Sequence, residues 1–241
     1  MFGRSVRPLV EAGRLLLRSY GGWRVRVQLF AGLAAALALA VVLTGRAEAA
    51  DRPVRIVVLG DSLTAGLGLP VNAAFPAKLE QALKAKGMAV EITNAGVSGD
   101  TASTGLARLD WSVPEGTDAV IVELGANDTL RGIDPKVTRQ ALGEIVRRLR
   151  GRGIAVLLTG MRAAPNLGPD YGRDFEAIYS ALAAENDLLF YPFFLDGVAT
   201  DSKLNQRDGL HPTAAGVDAI VARILPKAEE LVARARDKRA M

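Results

Sequence analysis

The stretch "VRIVVLGDSLTAGLG" (residues 54–68) governs the reading of the whole chain. Its first half, "VRIVVLG" (54–60), is a run of branched aliphatic residues broken once by Arg55, the pattern of a strand buried on both faces. Gly60 ends the run, and Asp61 and Ser62 open a polar turn from which a helix can start. A buried strand that stops at glycine and turns into a helix is how a parallel sheet begins a crossover.

The rest of the chain repeats that unit. "FPAKLEQALKAKG" (75–87) places apolar residues at 75, 79, 82 and 83, a helical face stopped by Gly87. "AVEITNAG" (89–96) reads as a second strand and "DAVIVELGAND" (118–128) as a third. "PKVTRQALGEIVRRLRGRG" (135–153) is a helix with Pro135 at its start and arginines in its last turns, as the helix dipole favours. "IAVLLTGM" (154–161) is a fourth strand, "FEAIYSALAAEN" (175–186) a helix, and "LLFYPF" (188–193) a short fifth strand. A last helix is expected from Pro212, with Val217, Ile220, Val221, Ile224 and Leu225 on one face, and Pro226 kinking or splitting it. The predicted class is therefore α/β: a three-layer α/β/α sandwich around a parallel sheet of about five strands in flavodoxin-like order. No repeat or low-complexity linker divides residues 50–241, which read as a single domain.

Composition narrows the chemistry. The chain has no cysteine and one histidine, which excludes disulfides, thiolate metal sites and a cysteine nucleophile, and leaves little for zinc or copper. We expect no metal and no cofactor. The formal charge of +4 is misleading, because seven of the 30 bases but only Glu11 and Glu48 of the 26 acids precede residue 50. The remainder is close to neutral and gives no sign of nucleic-acid binding.

Residues 1–49 have the order of a secretory signal peptide: arginines up to Arg26, the apolar run "VQLFAGLAAALALAVVLTG", then "AEA" at 47–49. Cleavage is expected after Ala49, which makes the mature protein periplasmic or secreted. The alternative is an uncleaved inner-membrane anchor that holds the body in the periplasm.

In a doubly wound sheet, ligands sit beyond the carboxyl ends of the strands. The segments that emerge there are "GDSLTAGLG" (60–68), "NAGVSGDT" (94–101) and "GAND" (125–128), with "DGLHP" (208–212) after the fifth strand. Each alone reads as an ordinary turn or helix start; together they supply acyl-transfer chemistry. Ser62 needs a base to take its proton, and His211 is the only imidazole. Asp208, three residues earlier, is placed to orient His211 and stabilise the imidazolium. The N–H groups of Ser62 and Gly99 and the Asn127 amide would serve a developing oxyanion, with no Cβ at Gly99 to crowd the substrate. Ser98 is a rival nucleophile, since "GVSGD" nearly matches G-x-S-x-G, although Asp100 occupies the last glycine position. Asp61 and Asp100 read as turn and cap acceptors, and Asp128 as a loop-holding acceptor. Trp111, Tyr171, Phe193 and Phe194 are candidates for the acyl site or for plain core.

These four blocks, in this order over about residues 54–225, resemble the SGNH or GDSL hydrolases. The likeness is greatest to the bacterial periplasmic thioesterase I, lysophospholipase and arylesterase group, through "SGDT", "GLARL", "VELG" and "ND", "RG", and "DGLHP". The resemblance implies Ser62 as nucleophile, Asp208 and His211 as its partners, and Ser62, Gly99 and Asn127 as the oxyanion hole. It also implies that "NDTLRG" (127–132) shapes the acyl pocket as a mobile loop, with Asp128, Thr129, Leu130 and Arg131 toward substrate. One departure is Leu67, where related segments often carry an aromatic, which bears on acyl preference. The expected function is a monomeric serine esterase for aryl esters, lysophospholipids and acyl thioesters, meeting membrane only through an uncleaved leader or a lipid substrate. A carbohydrate O-deacetylase and a non-catalytic binding module are the alternatives.

Overall fold

Strands Val54–Gly60 (β1), Val90–Gly96 (β2), Ala119–Glu123 (β3), Ala155–Thr159 (β4) and Leu189–Tyr191 (β5) pair in the order β2-β1-β3-β4-β5, every pair parallel. This is the doubly wound order expected from the alternation of strands and helices. The structure is a computed structural model and describes residues 52–240; the leader expected over 1–49 and its cut after Ala49 lie outside the described residues. Residues 52–240 form one unit.

The helices are Ser62–Ala65 (α1), Phe75–Ala85 (α2), Ala102–Ala107 (α3), Leu109–Ser112 (α4), Ala126–Leu130 (α5), Pro135–Gly151 (α6), Pro169–Glu185 (α7) and Ala214–Ala240 (α8). Helices α2 and α8 pack together on one face of the sheet, and α3, α6 and α7 form a layer on the other. β3 is buried at all five positions, as a central strand covered on both faces must be. β2 lies at the edge, and Glu91, Thr93 and Asn94 are exposed there.

Three expectations need correcting. Helix α7 starts at Pro169, ahead of Phe175, because its first turn is the polar "PDYGRD" and carries no apolar period. Pro226 does not split α8, which runs through it. Pro226 and Ala222, whose carbonyl loses its N–H partner, are both exposed, so water can take the lost bond. Finally, the segment 127–132 expected as a loop is largely helical, as α5.

The register aligns the strand ends. Gly60 pairs with Gly96 on one side and with Glu123 on the other. The chain therefore leaves β1, β2 and β3 at one level, at the point where the sheet order reverses. Successive crossovers run to opposite sides of β1 there and open a crevice.

Candidate active site

Ser62 is the first residue of α1. Asp61 caps that helix, its Oδ1 accepting the Leu63 N–H at 2.9 Å. The cap fixes Ser62 at the mouth of the crevice, where it is 8% exposed. Beside it, the turn after β2 places Gly99 at φ +88°, a conformation that glycine adopts freely. Within the protein, a Cβ at Gly99 would meet only Arg131 Nη2, at 3.7 Å, so the backbone angle calls for glycine independently of any substrate. The N–H groups of Ser62 and Gly99 make no hydrogen bond among the described residues.

Asn127, in α5, points its amide into the same space. Its Nδ2 donates to Asp61 Oδ2 at 3.1 Å and to the Asp100 carbonyl at 2.9 Å. Asp100 is in turn held by buried Arg108, which donates Nε to its carboxylate and Nη2 to the Gly60 carbonyl at 2.9 Å. One guanidinium thus ties the end of β1 to the turn that follows β2. Asp128 is wholly buried: it accepts the Ala102 N–H at 2.9 Å and the Thr138 hydroxyl at 2.8 Å, tying α5 to α3 and α6.

His211 comes from the loop before α8. Its Nε2 lies 2.9 Å from Ser62 Oγ and its Nδ1 lies 2.7 Å from Asp208 Oδ2. Asp208 Oδ1 also accepts the N–H groups of Leu210 (2.9 Å) and His211 (3.0 Å). The N–H groups of His211 and Leu210 and the imidazole hold the Asp208 carboxyl down at about 2. An ionised Asp208 is acceptor only, so Nδ1 carries the ring proton and Nε2 faces Ser62 with its lone pair. Gln206 braces the loop, donating Nε2–H to the Leu67 carbonyl at 2.7 Å and to the Pro212 carbonyl at 3.0 Å.

Beneath Ser62 lies a pair of buried carboxyls. Glu123, at the end of β3, is fully buried; Oε2 accepts the Asp61 N–H at 3.3 Å and Oε1 has no partner. Burial, then the charge of Asp61, pushes Glu123 well above the usual carboxylate range. Burial raises Asp61 to about 6, against the pull of the Leu63 N–H and the Asn127 amide. Two carboxyls this close and this dry do not both ionise, and Glu123 is the neutral one.

A cavity of about 490 Å³ opens beside Ser62 and His211, walled by Leu63, Leu130, Met161, Phe193, Leu195 and Leu210. Among the described residues, no three carboxylate or imidazole groups converge as a metal site.

The sequence of residues 58–219 matches the GDSL-like lipase/acylhydrolase family. The chain belongs to that family. Among its relatives is Esterase TesA of Pseudomonas aeruginosa, 38% identical over 195 residues that cover 80% of this chain and 96% of that protein. Another is Thioesterase 1/protease 1/lysophospholipase L1 of Escherichia coli K12, 40% identical over 71% of this chain and 80% of that one. Among solved structures, AlinE4, a SGNH-hydrolase family esterase, matches with a TM-score of 0.64 and 45% identity, over 74% of this chain and 96% of that one.

Against this GDSL hydrolase fold, the residues singled out in sequence divide clearly. Ser62, Gly99, Asn127, Asp208 and His211 come together at one crevice. Ser98 is exposed, and the only imidazole bonds to Ser62 instead. Thr129 and Leu130 line the cavity, whereas Asp128 lies beneath it and Arg131 is turned to the Gly99 carbonyl at 2.8 Å. Of the four aromatics only Phe193 lines the cavity. Phe194 packs edge-on against Phe75 in the core, Tyr171 donates to the Ile133 carbonyl, and Trp111 is 75% exposed. Glu123 and Arg108 were not singled out in sequence. Their signal is faint: one acid ending the apolar run "AVIVE", and one arginine inside "GLARL".

Proposed function

We propose that this GDSL hydrolase is a serine esterase that cleaves acyl esters and thioesters, with Ser62 as nucleophile. The observation that carries the reading is the relay Ser62 Oγ–His211 Nε2–Asp208, with links of 2.9 and 2.7 Å. Ser62 Oγ attacks the acyl carbonyl carbon and its proton passes to His211 Nε2. The tetrahedral oxyanion is met by the N–H groups of Ser62 and Gly99 and by the Asn127 amide, which trades its 3.1 Å bond to Asp61 for the new acceptor. On collapse, the bond to the leaving oxygen or sulfur breaks and the leaving group takes the proton from His211. Water then gives a proton to His211 and its hydroxyl to the acyl carbon, releasing the acid and restoring Ser62.

The apolar cavity of about 490 Å³ suits an alkyl chain better than an acetyl group on a sugar, which favours acyl esters, thioesters and lysophospholipids over acetylated glycans. The names of the relatives, an esterase and a thioesterase/lysophospholipase, agree with that range. We further propose that the enzyme works as a monomer, exported to the periplasm or beyond by its basic and apolar leader. The chemistry is tested by Ser62→Ala in the purified protein on p-nitrophenyl octanoate, which should abolish turnover and labelling by a fluorophosphonate. Turnover at the wild-type rate would overturn it.

A further inference from the structure

Arg162 follows β4 and is the one permanent cation among the cavity-lining residues, with no carboxylate beside it there. Its guanidinium carbon sits 4.5 Å from the centroid of the Phe193 ring. The two segments that carry these side chains are joined by their backbones, since Gly160 N–H donates to the Tyr191 carbonyl at 2.7 Å and Phe194 N–H donates to the Gly160 carbonyl at 2.9 Å. The acids on the surrounding segments are engaged elsewhere. Asp196 pairs with Arg223, Asp201 accepts the Lys203 N–H, Asp208 holds His211, and Asp170 pairs with Arg173. Among the described residues, Arg162 thus has an aromatic face for support and no anion to neutralise it.

That arrangement has a chemical meaning. A guanidinium stacked on a ring is held by its face, which leaves its N–H edges free for a second partner. Those edges match the geometry of a phosphate, and Arg162 is exposed at the cavity, where such a group can reach it. The alkyl chain of a substrate gains by occupying the apolar walls, so the charge that Arg162 meets belongs to the leaving group. We propose that Arg162 is an anion subsite of the acyl cavity, selecting substrates whose leaving group carries a phosphate over neutral esters of the same chain. This rests on the esterase reading above. Two leaving groups have the chemistry: the glycerophosphate of a lysophospholipid and the phosphorylated pantetheine of an acyl-coenzyme A.

Matched pairs of octanoyl substrates test this. One pair sets octanoyl-lysophosphatidylglycerol against monooctanoylglycerol; the other sets octanoyl-coenzyme A against octanoyl-N-acetylcysteamine. The wild type should prefer the phosphorylated member of at least one pair, and added salt should weaken that preference. Arg162→Gln should cut it by about tenfold or more through KM, leaving the neutral member within about twofold, and Arg162→Lys should restore part of it. Loss confined to one pair assigns the phosphate to that leaving group. Equal losses on charged and neutral members would mean that Arg162 only covers Phe193, and no loss would mean that it is idle; either result overturns the proposal. Failure of the esterase reading is separable, because the wild type would then hydrolyse none of the four.

Discussion

Asp208 is the most exposed member of the relay, its side chain 45% accessible, yet three hydrogen bonds keep it ionised. In the proposed mechanism its work is orientation: without an acceptor at Oδ2, the imidazole proton has no reason to stay on Nδ1. Asp208→Asn should lower kcat by roughly 10⁴-fold with little change in KM, as measured on p-nitrophenyl octanoate. A second test concerns Glu123. Because burial keeps it neutral, Glu123→Gln replaces one neutral acceptor with another and should leave both stability and turnover close to wild type. Glu123→Ala leaves the Asp61 N–H unpaired in a dry site and should cost about 1–3 kcal/mol in urea unfolding. Equal damage from both variants would show that Glu123 is needed as an anion. At this scale legibility followed rarity. One histidine in the chain left no rival base, so the candidate site could be assembled from chemistry and from turn placement. Glu123 and Arg108 were hidden because their roles depend on neighbours 62 and 48 residues away.

The long elements announced themselves by period and the short ones did not. Helices α1, α3, α4 and α5 are four to six residues long, too short to be stable alone or to show a helical apolar period. Local caps begin two of them, Asp61 before α1 and the reciprocal Thr101–Thr104 capping box at α3, and one tertiary bond, from the Ala102 N–H to Asp128, ties α3 to α5. Gly125, before α5, shows how narrow the fit is. Its φ is +120°, and a Cβ there would lie 2.0 Å from the Tyr179 hydroxyl, which itself donates to the Leu124 carbonyl at 2.9 Å. Gly125→Ala should therefore destabilise by about 2–4 kcal/mol and displace Asn127, lowering kcat more than it raises KM. An unchanged urea midpoint would refute the packing argument. Pro226 predicts the reverse. As an exposed proline within α8 it is a weakness the helix tolerates, and Pro226→Ala should raise stability by roughly 1–3 kcal/mol in the same assay.

Across the whole molecule, the layer order was readable because every long apolar run alternated with a helical one, and that alternation admits few topologies. What closes the two ends of the domain was not readable. Asp118, just before β3, receives the guanidinium groups of Arg52 and Arg239 and the Arg55 N–H, joining the start of the described chain, the foot of the sheet and the last turn of α8. Burial alone would raise the Asp118 carboxyl, but the hydrogen bonds from Arg239, Arg52 and the Arg55 backbone bring it from 3.8 down to about 2. A carboxyl depressed in the folded state binds its proton less tightly there than in the unfolded chain. The stability it contributes is thus complete above about pH 4 and is lost as the pH falls from about 4 to about 2. Asp118→Asn should melt below wild type at pH 7, and the gap should narrow across that window because wild type is losing the same charge. Arg239→Ala should reproduce part of the pH 7 deficit, since it removes one of the two guanidinium partners but leaves Arg52. A gap between Asp118→Asn and wild type that stays constant from pH 7 to pH 2 would mean the clasp acts through shape alone, and its charge would then play no part in holding the domain closed.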